Sequence, residues 1–119
     1  DRAIIDGIAW VAENFAVHKN PGSPSQWHFY YLYGLERMCG LLGMKFIGKH
    51  DWYRDVAEYL VSQQAPDGSW PKSGAHGDGV VENTAFALLC LKRATVPTKF
   101  KVPTVTGGPD DATPDDEEK

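Results

Sequence analysis

The sequence of 119 residues is poor in cysteine and contains no long apolar run. Its two cysteines, Cys39 and Cys90, lie within apolar segments of helical periodicity, so we expect two buried thiols rather than a disulfide framework. No apolar stretch approaches the roughly 18 residues that a membrane-spanning helix needs, which predicts no membrane span. A surplus of basic residues is also lacking, because residues 1–94 contain nine Lys and Arg against ten Asp and Glu. Without a basic patch, we expect no nucleic-acid partner.

Recognisable catalytic and cofactor motifs are absent as well. The chain has no Gly-x-Ser-x-Gly, no His-Glu-x-x-His and no phosphate-binding loop. Its adjacent acidic pairs, at residues 110–111 and 115–116, fall in a proline-rich segment where no cavity would raise a carboxyl pKa. We therefore expect no catalytic residue and no cofactor within this chain.

Helical periodicity is the main feature that is present. Apolar residues recur with a period near 3.6 in four segments, AIIDGIAWVAENFAV, QWHFYYLYGLERMCGLLG, HDWYRDVAEYLVSQQ and ENTAFALLCLKRA. Asp51 is a suitable N-cap for the third segment, and Asn83 or Thr84 for the fourth. The predicted fold class is all-α, with about four main helices.

The four segments form two similar pairs. A shift of 49 residues aligns DGIAWVAEN with DVAEYLVSQ, and YYLYGLERM also corresponds to AFALLCLKR. This pattern predicts a repeat of helical hairpins with a period of about 50 residues. We assign residues 1–94 to one repeat domain, with its repeats at residues 1–48 and 49–94.

The segment 95–119 differs from the rest of the chain. It contains four prolines, few large apolar residues and an acidic end. Such a composition buries too little surface to offset the entropy lost on ordering. We expect a flexible, disordered acidic tail, which either keeps the protein in solution or binds a partner.

A short motif follows the third helical segment, in the stretch EYLVSQQAPDGSWPKSG. It consists of Gln64, Gly68 and Trp70. One interpretation is a structural clasp, in which the Gln amide binds orphan backbone groups at the helix end, glycine permits a sharp turn, and the indole covers the next helix. The other is a sugar-binding site in which Trp70 stacks on a ring beside Asp67. The spacing favours the clasp.

The same stretch carries a resemblance to a known family. YLVSQQAPDGSW resembles the QW motif of squalene–hopene cyclases and prenyltransferases, and ENTAFALLCL is similar to the helix that follows that motif. The first repeat keeps only part of the motif, GIAWVAENF, with Phe15 in place of the Gln and no Gly-x-Trp. The resemblance covers residues 3–94.

The resemblance implies an α/α toroid, in which the segments beginning near Ala3 and Asp51 are outer helices and those near Trp27 and Glu82 are inner ones. It implies a non-catalytic terminal repeat segment of a larger protein, with a structural or interaction role. A first alternative is a part of a terpene cyclase or isoprenoid transferase whose catalytic residues lie upstream, since the family's Asp-x-Asp-Asp and Asp-x-Cys are absent here. A second alternative is an extracellular glycan-active toroid.

Two further groups of residues are candidates for a site. His76, Asp78 and Glu82 are metal-competent types on a glycine-rich loop, but we favour the interpretation that they serve loop solvation and a helix cap. An aromatic stripe could face a cavity and an isoprenoid ligand, or could be core; it comprises Trp27, Tyr30, Tyr31 and Met38.

Open flanks of the two hairpins are the expected contact surfaces. As partners we expect the remainder of the same protein, or a second copy through self-association. Apolar surface should be exposed there from Trp27, Phe29, Tyr33, Phe86 or Leu89.

Overall fold

The computed structural model describes residues 1–74, 78–93 and 95 of the chain. In these residues the chain forms four α-helices, α1 (Arg2–Glu13), α2 (His28–Leu41), α3 (Trp52–Gln63) and α4 (Val80–Lys92). The prediction of an all-α fold with four main helices is confirmed. Apart from Thr95, the acidic tail predicted at residues 95–119 lies outside the described residues.

A small antiparallel ribbon joins α2 to α3, and it was not predicted. Its strands are β1 (Phe46–Ile47) and β2 (His50–Asp51), with Ile47 opposite His50. Gly48 turns the chain between them with a φ of +58°, a conformation that favours glycine. The ribbon buries the side chain of Ile47 completely.

The helix starts differ in how their backbone amides are satisfied. Asp51 caps α3 through a hydrogen bond from the Arg54 amide, as predicted. The prediction of Asn83 or Thr84 as the cap of α4 is wrong, because α4 begins at Val80 and Gly79 stands at the N-cap position. The Asn83 side chain instead donates hydrogen bonds to the loop that precedes α4, and it therefore does not cap the helix.

The core lies between α2, α3 and α4. Helix α2 packs along α4, and α3 packs on the same helix. Helix α1 is the least covered, since Ile8 is its only buried residue. The buried apolar side chains contributed by the other helices are Phe29, Leu32, Leu35, Cys39, Trp52, Val56, Leu60, Ala87 and Cys90.

The helices α2 and α4 share three buried positions in one register. A shift of 55 residues, which superposes YYLYGLERM on AFALLCLKR, aligns buried Leu32 with Ala87 and buried Leu35 with Cys90. The same shift aligns two buried polar side chains, His28 and Asn83. We call this correspondence the 55-residue register.

We expect both thiols to resist modification while the protein is folded. Cys39 and Cys90 are free and buried, and burial, with the nearby Glu36 carboxylate, raises the pKa of each thiol to about 12. The reactive thiolate is therefore scarce at neutral pH. Alkylation followed by mass spectrometry should show two modified cysteines in denaturant and almost none without it. Rapid labelling of the folded protein at either position would contradict the described packing.

Candidate functional site

The motif residues after α3 form a tight turn. Gln64 leaves the helix with an extended backbone, and its Nε2 donates a hydrogen bond to the Gly68 carbonyl at 2.9 Å. Gly68 has a φ of +90°, which an L side chain rarely adopts. Asp67 accepts hydrogen bonds from the Ser69 amide and hydroxyl, and these bonds lower the pKa of Asp67. The turn is thus closed by its own side chains.

Trp70 connects this turn to two helices. Its indole is only 1 % exposed, and its Nε1 donates to the Leu60 carbonyl in α3 at 2.9 Å. Its backbone amide donates to the Thr84 hydroxyl in α4 at 3.1 Å. A ring in this position has no free face on which a sugar could stack. The contacts of Trp70 are those that a clasp between α3 and α4 requires.

Asp78 performs a role that the sequence pattern did not reveal. Its carboxylate is 2 % exposed and accepts hydrogen bonds from the backbone amides of Trp27 at 2.9 Å and His28 at 3.0 Å. Asp78 therefore caps α2 from about 50 residues further along the chain. This cap compensates for Trp27, which occupies the N-cap position with a φ of +59° and makes no side-chain capping bond.

The metal hypothesis for His76, Asp78 and Glu82 finds no support in this geometry. Both oxygens of Asp78 are occupied by the cap of α2, and Glu82 is exposed. His76 lies outside the described residues. Within residues 1–74, 78–93 and 95, no three metal-competent side chains come together.

Asn83 anchors the connection that precedes α4. Its Nδ2 donates to the Pro71 carbonyl at 2.9 Å and to the Ser73 hydroxyl at 3.0 Å. Gly74 lies so close to Ser25 and Asp78 that an added Cβ would be 2.7 Å from the Ser25 carbonyl and would collide with the Asp78 carboxylate. A larger side chain at position 74 would therefore displace the cap of α2.

The first repeat holds its loop with different side chains. His28 Nε2 is 2.7 Å from the Val17 carbonyl, and the Tyr31 hydroxyl donates to the Ala16 carbonyl at 2.9 Å. His28 and Asn83 are equivalent in the 55-residue register, and both bond to a loop carbonyl. The first repeat lacks the Gln and the Gly-x-Trp, and the first turn of α2 supplies the contacts that hold its loop.

We expect His28 to titrate below its ordinary pKa of 6.5. Burial lowers this pKa, and it outweighs the Val17 hydrogen bond and the Asp78 charge, which act in the opposite direction. Between the lowered pKa and 6.5 the unfolded chain binds more protons, so stability falls as the pH drops through this window. The NMR titration of the His28 ring tests the shift, and a midpoint at or above 6.5 would contradict it. A His28→Gln variant should lose this part of the pH dependence.

The aromatic stripe predicted on α2 is divided between two environments. Trp27 and Tyr30 are 45 % and 57 % exposed, whereas Tyr31 and Met38 pack against the core. The expectation that Phe29 is exposed is wrong, because Phe29 belongs to the buried core and is only 3 % exposed.

Two exposed and two partly buried aromatic rings form a cluster across the start of α2 and α4. Tyr30 and Tyr33 contact Phe86 with ring centroids 5.8 Å and 5.2 Å apart, and Trp27 lies edge-on to Tyr30 at 6.3 Å. We call these four residues, Trp27, Tyr30, Tyr33 and Phe86, the aromatic cluster.

One side of α4 is apolar and uncovered. Val81, Ala85 and Leu88 follow one another at intervals of four and three residues and share this side, with Leu89 beside them. Val81 is 79 % exposed and Leu88 is 56 % exposed. No other described segment packs here, and we call these four residues the free face of α4. Of these four residues, the sequence pattern predicts exposure only for Leu89.

The 55-residue register relates the free face of α4 to a surface of α2. Ala85 and Leu88 are equivalent to Tyr30 and Tyr33 of α2, which contact Phe86 of the neighbouring helix. Tyr33 is partly buried and Tyr30 is 57 % exposed, so α4 covers only part of the corresponding side of α2.

Two open grooves lie on the described part of the surface. One, of about 480 Å³, lies between the end of α1 and α3 and is lined by Phe15, His18, Asp55, Glu58 and Tyr59. The other, of about 450 Å³, lies near the end of α2 and includes Glu36. The Glu36 carboxylate is buried and accepts hydrogen bonds from the Thr95 amide and hydroxyl, so it is already engaged.

No helix within the described ranges is long and apolar enough to cross a membrane. Neither a family model, a curated protein nor a solved structure matches the chain.

Proposed function

We propose that this chain is a helical-repeat segment with a structural or interaction role, of the kind found in squalene-cyclase-like α/α toroids. The hydrogen bonds made by its buried polar side chains support a structural role. Asp78 caps α2, Asn83 holds the loop before α4, and Trp70 joins α3 to α4. These groups hold helices together.

The observation that carries the proposal is the free face of α4. An isolated helix face of Val81, Ala85, Leu88 and Leu89 leaves apolar surface in water, which proteins generally cover. In a repeat array, each hairpin buries its flank against the next one. Tyr33 of α2, the counterpart of Leu88, contacts Phe86 of α4, and such an array would give Leu88 a flank contact of the same kind. The occupant is either the remainder of the same protein or another copy.

A substitution that acts only in the assembled protein tests this proposal. Leu88→Lys should change the stability of the dilute 119-residue chain by no more than about 0.5 kcal/mol, because the side chain is largely exposed there. In the product of the complete reading frame, we expect a loss of about 2 kcal/mol or more, because the lysine would be buried without a partner. Val61→Lys, on the 65 % exposed position of α3, is the matched control and should be neutral in both proteins.

Equal, small effects of Leu88→Lys in both proteins would contradict the proposal, since they would mean that nothing covers α4. A large effect of the Val61→Lys control alone would also contradict it, because the covered surface would then lie on α3.

The aromatic cluster supports the enzymatic alternative, a part of an isoprenoid cyclase or transferase. Aromatic faces stabilise cations, and Trp27 and Tyr30 leave much of their rings accessible at the start of α2. A cationic isoprenoid amine should then change the fluorescence of Trp27, and Tyr30→Ala should weaken this response while Val61→Ala leaves it intact. The same response in all variants, or none in the wild-type chain, would exclude binding at this cluster.

The glycan alternative gains no support from Trp70, because its ring is buried.

A further inference from the structure

We infer that the free face of α4 pairs with the same face of a second copy of this chain, with the two helices antiparallel. This inference rests on the proposed interaction role of α4, and it names one occupant. The shape of the face and its charges both favour this arrangement.

The shape allows close packing. Val81, Ala85, Leu88 and Lys92 follow one another at intervals of four, three and four residues, which is the spacing of a helix–helix seam. In an antiparallel pair centred between Ala85 and Leu88, the small Ala85 of each copy lies opposite Leu88 of the other. A small residue facing a large one lets the two helix surfaces interdigitate.

The charges select the antiparallel direction. Glu82 is exposed in the first turn of α4, and Lys92 is exposed in the last turn. The two residues are about 15 Å apart along one helix, at 1.5 Å per residue, and do not pair within one copy. An antiparallel neighbour brings Glu82 of each copy next to Lys92 of the other at both ends of the seam. A parallel neighbour would instead place like charges together.

The area of the free face of α4 limits the affinity of the dimer. One face of a 13-residue helix is far smaller than the roughly 800 Å² that each partner contributes to a standard interface. The pair should therefore be weak and dependent on concentration. It should also stop at two copies, since a two-fold arrangement uses the same surface on both partners.

Complementary charge variants of the full 119-residue chain test the inference by sedimentation equilibrium. Wild type should be a monomer–dimer equilibrium, and Leu88→Lys should be monomeric. Glu82→Lys alone and Lys92→Glu alone should each weaken dimerisation by about tenfold, because each places like charges at both ends of the seam. An equimolar mixture of these two variants should recover the wild-type affinity, since opposite charges then meet at both ends.

The mixture separates pairing from effects within one helix. Both substitutions oppose the helix dipole, so each lowers helix stability whether or not the copies pair, and mixing does not reverse that loss. A mixture as monomeric as its components overturns the inference, and so does an oligomer that grows beyond two copies. A wild-type chain that stays monomeric at high concentration also overturns it. The proposed function is judged separately, by the effect of Leu88→Lys in the complete protein.

Discussion

Replacement of Trp70 by alanine should lower the free energy of unfolding by about 3–5 kcal/mol, the cost of removing a buried aromatic side chain. The indole is 1 % exposed, so its loss leaves a cavity between α3 and α4. The variant also loses the hydrogen bond to the Leu60 carbonyl, which would remain buried without a donor. Urea denaturation followed by circular dichroism measures the change.

Two companion variants show whether the loss of stability comes from the buried indole. Trp70→Phe keeps an aromatic ring but not the N–H donor, so it should be destabilised by less than Trp70→Ala. Lys72→Ala, an exposed change two residues away, should stay within roughly 0.5 kcal/mol of wild type. Similar denaturation midpoints for Trp70→Ala and Lys72→Ala would place the indole at the surface and revive the sugar-binding interpretation.

Replacement of Asp78 by alanine should destabilise the protein by about 2–4 kcal/mol. The carboxylate accepts hydrogen bonds from the amides of Trp27 and His28, and the His28 bond is buried. Removing it uncaps α2 and leaves backbone donors without an acceptor. Thermal and urea denaturation measure the loss of stability.

Asp78→Asn is the conservative comparison, because one oxygen acceptor remains and the loss should be smaller. Glu82→Ala removes an exposed carboxylate from the same stretch of the chain and should have a much smaller effect than Asp78→Ala. If Asp78→Ala and Glu82→Ala were equally mild, the capping bonds of Asp78 would contribute little to stability.

The parts of the fold that depend on local pattern could be predicted from the sequence. The 3.6-residue period predicted four helices, and Asp51 was recognised as a cap because its partner, Arg54, is only three residues away. The ribbon at Phe46–Asp51 was missed, because strands of two residues are too short to show a period. Asp78 was not recognised as the cap of α2, because its partners lie about 50 residues earlier in the chain.

In the candidate site, too, local features could be predicted from the sequence and features that depend on tertiary packing could not. Gln64, Gly68 and Trp70 can be picked out from the sequence because the three residues lie within a stretch of seven, although the bonds of Trp70 to α3 and α4 depend on tertiary packing. The free face of α4 could not be predicted, since ENTAFALLCLKRA is apolar on nearly every side and the pattern does not tell which side is covered. Only the packing of α2 and α3 on α4 leaves Val81, Ala85 and Leu88 as the exposed side. For Tyr31 and Met38, likewise, tertiary contacts decide between core and surface.

The most direct test of the central claim is the rate at which a maleimide modifies a cysteine placed on the free face. Leu88→Cys and the control Val61→Cys should react at similar rates in the dilute chain, where Cys39 and Cys90 remain silent because they are buried. In the assembled product of the complete reading frame, we predict that Leu88→Cys becomes protected while Val61→Cys still reacts. Equal rates for the two positions in the assembled protein would contradict the claim that α4 is a packing surface.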